Sequence, residues 1–176
     1  MIDKQTEQYF ETNLKKFVSK SNKIDMNIKT EKVRQFQELF NTIGTTPNFD
    51  DMELRINLLQ EELDELKEAF LQGDLVEIAD AYGDILFLTI GGVYKNGYAS
   101  NFESIFDEIC DSNLTKADDT MCDALKTRDK YLEQNIETYF QLNPNFNKYV
   151  TFRKLDGKVL KSHKYTAVSL EKFVTN

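Results

Sequence analysis

The residues best suited to chemistry in this sequence are acids, and they fall into two groups. The first has the pattern E-E-x-x-E over residues 61–65, and the second has the pattern E-x-x-D over residues 77–80. Spacings of three and four residues place the side chains of each group on one surface of a helix. Asp84 follows the second group by one further turn. Carboxylates without a nearby histidine or cysteine favour a hard divalent cation, Mg²⁺ or Mn²⁺.

The same acids also have a structural interpretation. They could form the solvated face of amphipathic helices, with Lys67 as a partner for some of them. Asp74 and Glu77 could form a capping box and nothing more. If the two groups instead face each other, their charges repel, and burying them without partners is costly. A face-to-face arrangement therefore requires cations.

The apolar pattern predicts the helices that position these acids. One predicted helix covers residues 51–71 and ends at the Gln72-Gly73 break, and the next begins at Asp74 as N-cap. A connection this short predicts antiparallel helices with the acidic groups face to face. Three other helices are predicted. One runs from about Thr30 to before Gly44, a second starts at a Ser100–Glu103 capping box, and a third follows it and ends at Asn135.

Length and composition favour an all-α protein. The chain has 176 residues with only two Pro and seven Gly and no Trp, which is typical of one helical domain. We expect a four-helix-type bundle with flanking helices. A short C-terminal β-hairpin is predicted around Asp156-Gly157, where polar and apolar residues alternate. Residues 1–28 are expected to form an N-terminal helical extension of the main domain at residues 29–176.

Charge and cysteine content restrict the partners and the compartment. A net charge of −8 argues against a nucleic-acid polymer as partner. The apolar runs are too short for a membrane span, and no signal peptide is evident. Cys110 and Cys122 fit buried, reduced thiols, so a cytoplasmic location is expected. Residues 148–172 depart from the acidic average, with seven Lys or Arg against two acids.

Taken together, the motifs resemble the all-α NTP pyrophosphohydrolase superfamily, which includes MazG-like and phosphoribosyl-ATP pyrophosphohydrolase-like proteins. The matching segments, in the family's order, are EELDE, EIAD, FDEICDSNLTKAD with its S-N-x-x-K pattern, DALKTRDKYLEQNIETYF and DGKVLKSHKYTAVSL. The resemblance runs from about Val33 to Leu170 and gives residues 29–176 the character of such a domain. The loop NTIGTTPNFD, which helps to frame the nucleotide in relatives, is only loosely similar.

The resemblance implies Mg²⁺-dependent hydrolysis of a nucleoside triphosphate to the monophosphate and pyrophosphate, with Mn²⁺ as an alternative ion. It implies that the metal ligands are Glu62, Glu65, Glu77 and Asp80. Glu61 would hold a further ion or act as the catalytic base, and Asp84 ranks below these. The implied substrate-binding residues are Asn113, Lys116, Lys158, Lys161 and Tyr165.

Each substrate-binding assignment has a structural alternative. Asn113 could be a helix C-cap, the lysines could be ordinary surface residues, and Tyr165 could serve packing. His163, the only histidine, is expected at the surface.

Several functions remain open at this level. Deoxynucleotides such as dUTP or dCTP are candidate substrates, and phosphoribosyl-ATP or a modified or signalling nucleotide would undergo the same chemistry. A non-catalytic helical interaction protein is the alternative from a different class. Relatives of the superfamily form dimers or tetramers, so a homodimer or homotetramer is expected.

Overall fold

The structure is a computed structural model that describes residues 26–174. This range forms six helices and one two-stranded antiparallel sheet, which confirms the all-α fold with a short hairpin. The elements are α1 (Met26–Leu39), α2 (Phe49–Gln72), α3 (Leu75–Lys95), α4 (Phe102–Leu114), α5 (Met121–Leu132), β1 (Thr138–Asn143), β2 (Lys148–Arg153) and α6 (Glu171–Val174). The helix expected within residues 1–25 lies outside the described residues. No described helix is both long enough and apolar enough to cross a membrane.

The chain divides into two compact units, and the first covers α1 to α3 up to residue 100. Its centre is an αα-hairpin in which α2 packs along α3, while α1 packs against α3. Gly73 ends α2 with a φ of 73°, in the left-handed region that glycine adopts without strain. Asp74 then caps α3, because its side chain accepts hydrogen bonds from the backbone N–H groups of Val76 and Glu77. Both predicted caps are confirmed.

The loop between α1 and α2 packs closely on the end of α3. The backbone N–H of Gly44 donates to the carbonyl of Tyr94 at 3.2 Å. A Cβ atom at residue 44 would lie 1.9 Å from the carbonyl oxygen of Lys95, so the approach requires glycine. Helix α1 ends at Leu39, earlier than predicted, and Asn41 adopts a φ of 53° after it.

The second unit begins at residue 101 and contains α4, α5, the hairpin and α6. Helix α5 packs against both strands. Helix α4 begins at Phe102, with Asn101 as an N-cap residue that makes no side-chain capping bond. The Ser100–Glu103 capping box predicted for this helix was therefore wrong. The Asn101 amide instead donates to the carbonyl of Phe173 at 3.1 Å.

The hairpin lies earlier in the chain than the sequence pattern indicated. Strand β1 pairs with β2 in a register from Thr138 opposite Arg153 to Asn143 opposite Lys148. Gly157 does form a tight turn, with a φ of 70°. After this turn, the pairing with β2 is limited to an isolated bridge between Phe152 and Val159. The Asp-Gly signal thus identified a turn correctly, but β2 takes the preceding segment as its partner.

Candidate functional site

The acids of α2 and α3 lie on neighbouring helices, as the sequence predicts, and Glu62 is the most enclosed of them. Its side chain is half-buried, whereas Glu61, Glu65, Glu77 and Asp80 are exposed. The Oε2 atom of Glu62 is buried and has no hydrogen-bond partner in the part of the chain that the structure describes. Buried carboxylate oxygens are normally hydrogen-bonded or bound to a cation. A bound cation would satisfy this oxygen, as would an ordered water.

The charges around Glu62 come from both helices. Burial raises the pKa of Glu62, and the charges of Glu65, Asp84, Asp80 and Glu61 raise it further. Acids from α2 and α3 are therefore close enough to act on one carboxylate. Glu77 is not among these charges; it stands in the first turn of α3, where its backbone N–H bonds to Asp74.

The donor set of this acidic group fits a hard cation. Within residues 26–174, no three Asp, Glu, His or Cys side chains are already arranged as a metal-ligand set. The enclosed oxygen of Glu62 is nevertheless surrounded by like charges that a divalent cation would neutralise. Carboxylate oxygens without imidazole or thiolate suit Mg²⁺ or Mn²⁺. The ligand chemistry of the group thus fits a divalent cation, whereas the side chains are not arranged as a ligand set.

A polar cavity lies at the end of the α2–α3 hairpin that is farthest from the connection at Gly73 and Asp74. It has a volume of about 470 Å³ and is lined by residues 41–46, Asn48, Asp51 and Lys95. Lys95 pairs with Asp51 at 2.7 Å. Asp51 precedes Glu62 by eleven residues on the same helix, which corresponds to about 16 Å. The loop NTIGTTPNFD therefore borders a cavity that is separate from the acids of the same unit.

In the second unit, three of the predicted substrate-binding residues lie near one another. The ammonium of Lys161 stands 4.3 Å from the centre of the Tyr165 ring. The hydroxyl of Tyr165 lies 3.0 Å from the hydroxyl of Ser112. This hydrogen bond lowers the pKa of Tyr165, and the charges of Lys161 and Lys116 lower it further. Positive charge is thus concentrated around one phenol.

The other two predicted substrate-binding residues are exposed and form hydrogen bonds to residues close to them in the sequence. The Asn113 amide donates to the carbonyl of Ile109 at 2.8 Å, and the side chain is exposed. The residue that caps α4 at its C-terminus is Thr115, so Asn113 is not the C-cap. Lys158 is exposed after the turn at Gly157, and its backbone N–H donates to Asp156. A hydrogen bond from Arg153 lowers the pKa of Asp156 to about 2, and this Lys158 N–H adds to the effect.

Buried polar residues of this unit were missed at the sequence level. Asp118, Thr127, Thr151 and Ser162 are all at most 1% exposed. Asp123 is also buried and binds His163 and Lys164, so His163, expected at the surface, is half-buried and bound to a carboxylate. A T-x-x-D spacing from Thr120 to Asp123 marks this helix start and could have been found. Cys110 is half-buried and Cys122 is exposed, both as free thiols, so the prediction of buried cysteines was wrong.

Comparison with known proteins finds a family model that matches less than half of the chain. A family model described as phosphoribosyl-ATP pyrophosphohydrolase matches residues 33–113. This range includes most of α1, both acid-bearing helices and α4 up to Asn113. No curated protein matches the chain.

Proposed function

Residues 33–113 belong to the all-α NTP pyrophosphohydrolase superfamily, and on that premise we propose that this nucleotide pyrophosphohydrolase cleaves a nucleoside triphosphate between its α and β phosphates. The products would be the nucleoside monophosphate and pyrophosphate. The enzyme is a hydrolase that acts on acid anhydrides. The observation that carries the proposal is the enclosed, unmatched oxygen of Glu62 among acids from two helices.

The acids of α2 and α3 would hold the metal ion. We assign Glu62, Glu65, Glu77 and Asp80 as the ligands of Mg²⁺, with Mn²⁺ as an alternative. When bound, the ion would neutralise phosphate charge and lower the pKa of an attacking water. The raised pKa of Glu62 supports this assignment, because a nearby cation would favour the charged carboxylate that burial and the neighbouring acids disfavour.

Glu61 would act as the catalytic base or hold a further ion. As a base, its carboxylate takes a proton from the attacking water while the water oxygen bonds to phosphorus. The bond between phosphorus and the bridging oxygen then breaks, and its electron pair leaves with pyrophosphate. Glu61 is exposed and its charge acts on Glu62, so a base at this position would be next to the metal ligands.

We propose that basic residues contact the phosphates of the substrate. A triphosphate carries about four negative charges, more than the metal alone offsets beside so many acids. Lys116 and Lys161 concentrate positive charge near the hydroxyl of Tyr165, which supports a phosphate-binding role for these three residues. We also assign Lys158 to the phosphates and Asn113 to the base or sugar.

The preferred nucleotide is the finer question. Deoxynucleotides such as dUTP and dCTP are our first candidates. The description of the matching family model favours phosphoribosyl-ATP as the second candidate, through the same chemistry. A modified or signalling nucleotide is the third. We propose that the enzyme works as a homodimer or homotetramer in the cytoplasm.

A substrate panel tests the proposal. Pyrophosphate release is measured from dUTP, dCTP, the other nucleoside triphosphates and phosphoribosyl-ATP, with Mg²⁺, with Mn²⁺ and with EDTA. We expect turnover of at least one nucleotide, its loss in EDTA and its recovery when Mg²⁺ is restored. Glu62→Gln combined with Glu65→Gln should abolish turnover, whereas Glu53→Gln on the same helix should not. Turnover that is indifferent to EDTA and to the double substitution would contradict the site, and a folded protein inactive on the whole panel would favour the interaction-protein alternative.

A further inference from the structure

The chain segment that carries Lys161 and Tyr165 has no regular secondary structure of its own. Residues 160–166, here called the tail segment, form neither helix nor strand. Backbone groups of such a segment must find hydrogen-bond partners elsewhere. Tyr131 accepts from the N–H of Lys161 and donates to the carbonyl of the same residue, at 3.1 and 3.0 Å. The hydroxyl of Thr115 accepts from the N–H of Thr166 at 3.0 Å.

A buried carboxylate lies at the centre of these contacts. The Oδ1 atom of Asp118 accepts hydrogen bonds from the hydroxyls of Ser162, at 2.5 Å, and Thr127, at 3.1 Å. The same Thr127 hydroxyl accepts from the backbone N–H of His163 at 2.9 Å. Asp118, Thr127 and Ser162 are each at most 1% exposed. One carboxylate therefore links α5 to the middle of the tail segment.

The two residues with proposed phosphate contacts flank this linkage. Lys161 immediately precedes Ser162, and Tyr165 follows three residues later. The backbone N–H of Tyr165 donates to the carbonyl of Ser162 at 3.1 Å, and that of Lys164 donates to the Ser162 hydroxyl at 2.9 Å. The position of Ser162 thus determines the backbone positions of Lys161 and Tyr165.

We propose that Asp118 is a positioning residue: through Ser162 and Thr127 it fixes the path of the tail segment, so that Lys161 and Tyr165 are held together for anion binding. The role of these two residues in anion binding rests on the proposed function, whereas their placement rests on the hydrogen bonds alone. A second anchor strengthens the arrangement, since Asp123 binds Lys164 at 2.8 Å and His163 at 3.1 Å. Charge-assisted bonds of this kind are stronger than neutral ones.

The test uses a matched pair at one buried position. Thr127→Val removes the hydroxyl that joins Asp118 to His163, and Thr127→Ser keeps it. Trypsin cleavage after Lys161 and Lys164 is followed on the full chain without nucleotide. We expect cleavage at least tenfold faster in Thr127→Val than in the parent, with Thr127→Ser within twofold of the parent. Ser162→Ala should behave like Thr127→Val, and Ser104→Ala, an exposed serine of α4, should behave like the parent.

Two further readouts separate positioning from a general loss of structure. The phenol of Tyr165, identified in ultraviolet titrations by its absence in Tyr165→Phe, should titrate at higher pH in Thr127→Val, because it loses its hydrogen bond and the nearby cations. With the preferred nucleotide, KM should rise at least fivefold while kcat stays within twofold, since ground-state phosphate contacts are weakened.

The outcomes distinguish this proposal from the proposed function. If the parent hydrolyses no nucleotide, the proposed function fails, yet cleavage and phenol titration still decide the positioning role. If the parent is active and Thr127→Val matches Thr127→Ser in all three measurements, the positioning role is overturned and the function stands. Loss of the whole circular-dichroism signal in both Thr127→Val and Ser162→Ala would also overturn it, because the network would then support the entire unit.

Discussion

Glu62 is half-buried and Asp123 is buried, but the surroundings of the two carboxylates are opposite in character. Asp123 receives hydrogen bonds from Lys164, Thr120 and His163, which hold its pKa well below the ordinary range. Glu62 has an unmatched buried oxygen, and burial and neighbouring acids raise its pKa. The first carboxylate stabilises the fold as it stands. The second disfavours the folded chain at pH values above the ordinary pKa of the group, and a perturbed pKa of this kind is typical of functional sites.

Replacement of the acids proposed as metal ligands should separate stability from activity. We expect Glu62→Gln with Glu65→Gln to raise the melting temperature of the metal-free protein, because two repelling charges are removed. The same variant should lose about a hundredfold or more in turnover. Thermal unfolding in EDTA and the pyrophosphate assay measure the two effects, with Glu53→Gln as the control. A lower melting temperature in EDTA would show that these carboxylates are stabilised by contacts within the apo protein.

The pH dependence of the metal-free protein follows from the same group. Because the pKa of Glu62 is raised in the folded state, the folded chain holds this proton above the ordinary value of 4.5, where the unfolded chain has lost it. Stability in EDTA should therefore fall as the pH rises from about 4.5 through the raised pKa. Asp123 and Asp156 have lowered pKa values and act in the opposite direction below their ordinary 3.8. Melting curves of Glu62→Gln should lack the fall above 4.5, and equal slopes for both proteins would refute this.

At the scale of elements, most short-range signals were read correctly, with the Ser100–Glu103 capping box as the exception, and the long-range ones were not. Asp74 caps α3 and Gly73 ends α2 as predicted, since both depend on residues within one turn. The partner of β2 could not be read in this way. Asp156-Gly157 specifies a turn, but it does not decide whether β2 pairs with the segment before it or with the segment after the turn. Likewise, the acids were found by their spacing, whereas the bonds of Asp118 to Thr127 and Ser162 join residues 9 and 44 positions apart.

The connection between α2 and α3 yields a stability prediction with a matched control. Gly73→Ala places a Cβ atom at a φ of 73° and should destabilise the protein by about 1–2 kcal/mol. Gly83→Ala lies within α3, where an added Cβ meets no atom within 4 Å, and should stabilise by about 0.5–1 kcal/mol. Denaturant unfolding of both variants measures the difference. Equal effects of the two substitutions would contradict the role given to the left-handed residue.

For the whole molecule, the described part of the first unit carries many exposed apolar side chains. Ile56 and Leu63, seven residues apart on α2, are 62% and 48% exposed. Residues at this spacing lie along one stripe of a helix. An exposed apolar stripe of this kind is typical of a contact between protein chains. This supports the proposed homo-oligomer.

Oligomer formation can be tested on this stripe. We expect the parent to be a dimer or tetramer by size-exclusion chromatography with light scattering. Ile56→Glu should shift it to the monomer, because a charge would be buried at the contact. Asn57→Glu adds the same charge at the adjacent exposed polar position and should leave the assembly unchanged. A monomeric parent, or an Ile56→Glu variant of unchanged mass, would rule out this stripe as the contact.

The two-residue joint of Gly73 and Asp74 also limits how this enzyme can change over evolution. One residue inserted there would lengthen the turn between the two caps, so the packing register that the short joint gives α2 and α3 would be lost. Asp80 and Asp84 would then shift relative to Glu62, although every acid would still be present in the sequence. Substitutions in the joint are tolerable where the caps survive. Changes in its length are not, so insertions and deletions should be excluded here more strictly than amino-acid replacements.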